Sequence, residues 1–425
     1  TPNAAESFKE RKRLFNLPKS TWKDYTCISA GGGVFDRHAK EIKCSKEMKA
    51  LLNISEATIS GEHLIQCILK SQVDLIWFGG IGTYIKATSE SHLDAGDPSN
   101  NSVRVNANEI NAKIIAEGAN LAITQKGRIE YELAAKGRIN TDAIDNSAGV
   151  NMSDYEVNIK IMLAAFQQNG IIKNNDKRNQ LLETATNEVT SLVLQNNISQ
   201  HMLISMDQYR SSNQPFLIDH TISELIDLGR LNYIDEQIPN SKERQEIYKQ
   251  QIPLPRCVIA KVQAFVKMRL KESIIGASFL KRPFYAKIFH DYFPKSIAVL
   301  NSHDIFYDHQ LKDHIICTQL VNYFVGVFGC NAHNAITFSG QIPPEKAVDQ
   351  LVKLEYIFDT KKKRKELIEA WELDPVGAGT NAHGIFVGKF FYRITIRNNN
   401  FVSSRRIGKI LNPAVGSIYK KLYTF

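Results

Sequence analysis

The chain has 425 residues, 43% of them hydrophobic and 23% charged, and its 53 Lys plus Arg against 44 Asp plus Glu leave a net charge of +9. That length predicts a sizeable core split over two domains, and the composition is ordinary for a soluble globular protein. No uninterrupted apolar run approaches the ~20 residues of a bilayer span, Thr1 to Leu14 carries no apolar segment of the export type, and six scattered cysteines read as free thiols of a reducing cytoplasm.

Ser7 to Leu17 has helical patterning that must end before Pro18, because the residue ahead of a proline is pushed out of the helical region. Ser20 to Tyr25 reads as a cap and a short turn. Ala30 to Phe35 holds a glycine cluster whose N–H groups could cradle a phosphate. It lacks the strand–turn–helix context and the following Lys-Ser/Thr of a phosphate loop, so it reads as a flexible turn. Gly61 to Ser71 places Leu64, Ile65, Ile68 and Leu69 on one helical face. Val73 to Phe78 is a strand, and Gly79-Gly80-Ile81-Gly82 is its exit loop. Such glycines either let a ligand approach the backbone or simply make a tight turn. Lys86 to Asn108 is polar and reads as a loop.

The stretch from Asn111 to Lys160 is the one around which the rest of the chain is organised. Lys113 to Ala116 is an apolar run that stops at Glu117-Gly118-Ala119-Asn120, as a buried parallel strand stops at its carboxyl edge. Ile139 to Ile144 predicts a second strand stopping at Asp145-Asn146-Ser147-Ala148-Gly149-Val150, and Asp154 to Phe166 returns to helical spacing. In an open α/β sheet, ligands occupy the crevice beyond the carboxyl ends of the strands, so Asn120 and Asn146 are both expected to border it. Asn169-Gly170 closes the first domain, and Lys173 to Asn179 predicts a polar linker. Helical patterning dominates from Gln180, notably over Phe216–Leu228, Cys257–Ile275 and Leu311–Phe328, with prolines mainly between the runs.

AKIIAEGAN followed by NSAGVNMSDYEV resembles the second half of the nucleotide-binding domain of glutamate dehydrogenases. GGIGTYIKA, TQKGRIEY and INTDAIDNSAGV resemble in particular the very large NAD-specific bacterial class, in which a glycine-rich stretch also follows an SFxERKRLF opening. The resemblance implies an α/β region followed by an all-α region, namely the later part of a Rossmann-type parallel-sheet domain over residues 1–170 and a helical C-terminal domain over residues 180–425. It implies NAD as cofactor, L-glutamate and 2-oxoglutarate as substrate pair, and a homo-oligomer or a dependence on an upstream segment. On the matching positions, Gly79 and Gly80 fall in the loop used against the adenosine side of NAD, Asn120 and Asn146 line the NAD site with Asn146 nearer the nicotinamide carboxamide, and Ser153 holds a substrate carboxylate. Phe78, Pro98 and Asn101 depart from the residues usual in the large class. Read from the residues alone, Asn120 is a turn former, Asn146 caps a loop, and Ser153 with Glu156 makes a capping box opening a helix.

His314, Cys317, Cys330 and His333 have tolerable zinc spacing, but the preferred reading makes the cysteines small apolar fillers with both histidines at the surface, and no metal is expected. The basic runs Lys361 to Arg364 and Arg405-Arg406 read as solvated faces rather than a nucleic-acid surface. No Ser-His-Asp order or nucleophile elbow is present. The G-x-G-x-x-G turn with its acidic ribose partner is absent, and the resemblance implies that the lysine and carboxylate that oxidative deamination needs lie upstream of Thr1. The expectation is an internal piece of a longer enzyme with no catalytic residue of its own; the alternative is a non-catalytic remnant or scaffold with a basic, polyanion-binding surface.

Overall fold

The computed structural model describes residues 2–337 and 340–358. By compactness the chain divides into two units, residues up to 147 together with 255–257, and residues 148–254 together with those from 258 on.

The first unit carries all the described strands. In chain order its elements are α1 (Ala4–Phe15), β1 (Ile42–Lys43), α2 (Lys46–Leu52), β2 (Thr58–Ile59), α3 (Gly61–Leu69), β3 (Leu75–Phe78), β4 (Ile85–Lys86), β5 (Val105–Asn106), β6 (Ile114–Glu117), α4 (Gln125–Leu133) and α5 (Asp142–Asp145). Each of the first four helices starts where a short polar side chain satisfies an orphan amide: Asn3, Ser45, Ser60 and Thr124 accept from Glu6, Met48, His63 and Gly127 at 3.0–3.1 Å. β3 and β6 pair in parallel with Leu75 opposite Ile114 and Phe78 opposite Glu117. β4 pairs in parallel with β5, and single parallel bridges add Ile123 beside Ile85 and Arg138 beside Ile114. Ile76, Phe78 and Ile115 face a core shared with Ile65 and Leu69 of α3 and Tyr131 of α4. The polar stretch from Lys86 to Asn108 is held by buried Arg104, which donates to the carbonyls of Thr83 and Asp97 and to Asn101.

The second strand expected over Ile139–Ile144 is a single bridge at Arg138 followed by the short helix α5. The aspartates explain the difference. Asp142 and Asp145 turn back to accept amides from the β6 region, and a helical turn is the geometry that aims both.

Among its described residues the second unit has helices and no strand. It contains most of α6 (Ser147–Gln168), then α7 (Asn175–Asn213), α8 (Pro215–Asp227), α9 (Ser241–Lys249), nearly all of α10 (Arg256–Ile274), α11 (Pro283–Tyr292), α12 (Lys295–Ala298), α13 (Lys312–Phe328), α14 (Ala332–Thr337) and α15 (Pro344–Phe358). The polar linker expected over Lys173–Asn179 is instead the start of α7, because Asn174 accepts from Lys177 N at 2.9 Å and caps the helix. Pro215, Pro283 and Pro344 occupy first helical positions, where a missing N–H costs nothing. Val189, Ile204, Ile222, Val262, Ile316 and Phe324 are among the buried side chains of this bundle. Lys312–Thr337 is long and apolar enough, by length and composition, to cross a bilayer, and 67% of its apolar window is buried inside the protein. Asp313, His314 and Asn322 interrupt the run, which is why the sequence shows no continuous apolar segment there.

Candidate nucleotide crevice

Because β3 and β6 are parallel and end level, their exit loops, Gly79–Gly82 and Gly118–Leu121, leave the same edge of the sheet. Three hydrogen bonds join the loops: Thr83 Oγ1 donates to the Leu121 carbonyl at 2.7 Å, and Tyr84 N and Ile85 N donate to the Ala122 carbonyl. Asp97 anchors the β3 loop by accepting Thr83 N at 2.8 Å. Hydrogen bonds from Asn100, Ser99 and the Thr83 amide hold its carboxyl down at about 2. Gly80 has open space where a side chain would project. Gly79 and Gly118 do not: the Trp77 indole lies across both, so that a Cβ would come within 2.7 Å of the ring at Gly79 and 2.5 Å at Gly118. Any side chain at these two positions would have to displace the indole from where it rests.

Beneath the β6 loop lies a charged network. Glu117 is fully buried and takes Arg128 in a two-pronged grip, Nε to Oε2 at 2.7 Å and Nη2 to Oε1 at 2.8 Å. Arg128, itself 5% exposed, also meets Asp142 Oδ1 at 3.2 Å. Burial pushes the Glu117 carboxyl above its usual range against the pull of Arg128, with Asp142 and Asp145 adding repulsion. The outer aspartates brace the loop backbone: Asp145 accepts Glu117 N at 2.9 Å and Asn140 Nδ2 at 2.8 Å, and Asp142 accepts Leu121 N at 3.1 Å. Leu121 has a left-handed φ of 66°, a conformation costly for a residue with a side chain unless the surroundings impose it.

This bracing sets the two asparagines. Asn146 follows α5 as its C-cap, and its Nδ2 reaches Asn120 Oδ1 in a long hydrogen bond of 3.4 Å. Asn120 is exposed and Asn146 half-buried. Ser153 is exposed in the interior of α6, where its hydroxyl donates to the Gly149 carbonyl at 3.3 Å. It therefore opens no helix, and the expected capping box with Glu156 is absent because α6 begins at Ser147, six residues earlier.

Glu117, Arg128, Asp142 and Asp145 lie within the motifs AKIIAEGAN, TQKGRIEY and INTDAIDNSAGV, but the sequence reading gives none of the four side chains a role. One signal does point to them: a glutamate ending the apolar run IIAE sits on a buried strand, where a charge must find a partner.

Other candidates fall elsewhere. In the glycine cluster, Gly31 has a φ of 81° and its carbonyl takes Ser45 Oγ at 2.7 Å, while the Glu47 carboxylate fills the space a side chain would take. A carboxylate there repels a phosphate, so the turn reading stands on electrostatics as well. A hollow of about 720 Å³ in the first unit lies among α1, this turn and α3, lined by Phe8, Trp22, Phe35 and Leu64, away from the strand ends. His314 is exposed, but Cys317, Cys330 and His333 are buried, which corrects the surface position expected for His333. Among the described residues no three His, Cys, Asp or Glu side chains come together as a metal site. The basic runs at 361–364 and 405–406 lie outside the described residues.

The fold and the crevice define an α/β protein with parallel strand pairs and polar side chains gathered at their carboxyl ends, continued by a helical bundle. Residues 1–207 match the family described as bacterial NAD-glutamate dehydrogenase, catalytic domain, and residues 251–372 match glutamate dehydrogenase, C-terminal. The chain is 40% identical over 365 residues to an NAD-specific glutamate dehydrogenase of Mycobacterium tuberculosis, covering 84% of this chain and 22% of that protein. It is 39% identical to proteins of the same name from Halomonas elongata, over 77% of this chain, and Pseudomonas aeruginosa, over 79%, each covering 20% of the relative. The chain belongs to the bacterial NAD-specific glutamate dehydrogenase family, and spans about a fifth of the length of these curated relatives.

Proposed function

We propose that this chain supplies the later part of a Rossmann-type nucleotide-binding domain, residues 1–170, and a helical C-terminal domain, residues 180–425, to an NAD-dependent glutamate dehydrogenase of the cytoplasm. The overall reaction takes L-glutamate, NAD and water to 2-oxoglutarate, ammonia and NADH in amino-acid catabolism, in a homo-oligomer or together with further polypeptide. The observation that carries the reading is the pair of amides, Asn120 and Asn146, which meet at the carboxyl edge of a parallel strand pair beside loop backbone braced by the half-buried Asp142 and Asp145.

The residues present suit NAD. An amide offers both a donor and an acceptor, which is what a nicotinamide carboxamide requires, and Gly80 leaves the β3 loop bare for close approach on the adenosine side. When bound, NAD supplies the acceptor for the hydride of the amino acid. The work of this chain is to bind and orient. Asn146 fixes the carboxamide, Asn120 fixes Asn146, Gly79 and Gly80 border the cofactor, and the Ser153 hydroxyl donates to a glutamate carboxylate.

Two measurements test this. Ligand-observed NMR with NAD should show saturable binding to the chain, and its absence both here and after addition of the missing polypeptide of a relative would overturn the reading. A spectrophotometric assay of the chain by itself should show no glutamate-dependent NADH production, because the motifs that carry the resemblance include neither the lysine nor the carboxylate that the family uses for the deamination.

A further inference from the structure

The hollow among α1, the glycine turn and α3 takes no part in the crevice, yet it is built like a ligand site. Its volume of about 720 Å³ lies in the roughly 300–1,000 Å³ range of small-molecule sites, which combine apolar and aromatic walls with a few polar groups. Phe8, Trp22, Tyr25 and Phe35 line it, and all but the half-buried Tyr25 are exposed. Large apolar side chains left bare around one concavity mark a binding surface, unlike single ones scattered over an exterior. Two guanidiniums, of Arg11 and Arg37, stand in the same wall. Arg11 is exposed and has no ion-pair partner among the described residues. Arg37 is half-buried and donates through Nη2 alone, to the Ser99 carbonyl at 3.1 Å and to Asn100 Oδ1 at 2.8 Å, while its buried Nε has no partner. Gly61 holds the Arg37 backbone in place, since a Cβ there would come within 2.4 Å of the Asp36 and Arg37 carbonyl oxygens and α3 starts hard against them. The lining holds one carboxylate, Asp36, whose Oδ1 accepts the His38 amide at 2.8 Å.

We propose that this hollow is an effector site for an aromatic carboxylate, its ring against Phe8, Trp22 and Phe35 and its carboxylate on Arg37 and Arg11. A planar guanidinium takes a carboxylate in two parallel hydrogen bonds. A single negative charge suits the site better than a phosphate dianion, because Asp36 lies in the lining and Glu47 lies at Gly31, next to it in the turn. Contacts inside the first unit carry the occupied state to the β3 exit loop. Asn100, which accepts from Arg37, is buried and donates through Nδ2 to Asp97 at 2.5 Å. Asp97 accepts the Thr83 amide at 2.8 Å. Asn100 Nδ2 also packs on Gly82, whose φ is 139° and where a Cβ would come within 2.7 Å of it. A carboxylate that fixes Arg37 therefore fixes Asn100, and with it the loop that carries Gly79 and Gly80. Coupling to the cofactor rests on the proposed function, and by linkage NAD and the effector then change each other's affinity by the same factor. Binding in the hollow and its effect on the loop stand without it.

Isothermal titration of the full chain with 2-naphthoate checks the site, with 2-naphthamide as the uncharged counterpart of similar shape. The expected result is saturable one-to-one binding of the carboxylate, with the amide weaker by about tenfold or more for want of the charge-assisted contact. Amide exchange over residues 79–83 should slow when the carboxylate is present. Arg37→Gln should weaken binding by a similar factor and abolish the effect on exchange. Arg11→Gln, at an exposed residue outside the chain of contacts, should weaken binding with the melting temperature unchanged, and it decides the matter if Arg37→Gln fails to fold. No saturable binding, equal binding of amide and carboxylate, parent-like binding by Arg11→Gln, or unchanged exchange would overturn the proposal. So would loss of naphthoate binding once the portions of the Mycobacterium tuberculosis relative flanking its matched part are added, because the hollow would then be a seat for polypeptide. NAD binding, measured on the same samples, decides the functional proposal separately.

Discussion

Two carboxylate networks, one in each unit, use the same chemistry to opposite ends. In the second unit Asp207, 1% exposed, accepts from Arg210 at 2.9 Å, from Gln263 Nε2 at 2.8 Å and from Cys330 N at 2.7 Å. Gly329 leaves room for it, since a side chain there would collide with the carboxylate. Every group in that set is spent on another, and its product is a fixed junction between helices. In the first unit Glu117, Arg128, Asp142 and Asp145 are also mutually engaged, but the two aspartates brace the backbone of the β6 loop, beside the exposed Asn120 and the half-buried Asn146. A buried network that closes on itself makes structure; one that braces a loop carrying accessible amides makes a candidate site.

The largest effects should separate the two networks. Asp207→Ala strands Gln263 and the Cys330 amide, and Arg128→Met leaves Glu117 buried without its partner. Each should cost on the order of 3–5 kcal/mol of stability, as breaking a buried pair does. Thermal melts should show both losses, while NAD titration of the folded fraction should change only for Arg128→Met. Equal NAD binding in the two variants would erase the distinction.

Ser153→Ala comes next. A charge-assisted hydrogen bond to a carboxylate is worth roughly 1.5–3 kcal/mol, so in the enzyme reconstituted with its remaining polypeptide the glutamate KM should rise further than the NAD KM. Ser153 caps no helix and is exposed, so the melting temperature should hardly move. Unchanged glutamate kinetics would remove the residue from the substrate site.

Asn146→Ala removes one bond between neutral partners and should weaken NAD binding by about 0.5–1.5 kcal/mol. Ligand-observed NMR checks it, and undiminished saturation would refute the carboxamide role.

The smallest effect is in acid. Asp97 is held down at about 2 in the folded chain against ~3.9 unfolded. Its contribution is present above the unfolded value and is lost as pH falls towards about 2. Melts taken between these limits should lose stability less steeply in Asp97→Asn than in the parent. Parallel curves would mean that Asp97 does not anchor the β3 loop.

Elements whose causes are local were legible in the chain alone. The helices of residues 61–69, 215–227, 256–274 and 312–328 follow from apolar spacing, caps and proline positions, and the strands at 75–78 and 114–117 from apolar runs ending in glycine. The family was legible too, through ordered motifs that survive without any neighbour in space. Contacts between distant segments decided the rest. The run Ile139–Ile144 has strand-like composition, yet Asp142 and Asp145 are drawn into a helical turn by amides more than twenty residues earlier in the chain. Asn120 and Asn146 meet only because β6 and α5 are tied in this way. The indole of Trp77 rests on Gly79, two residues away, and on Gly118, across the strand pair, a contact that strand pairing creates and that sequence spacing cannot display.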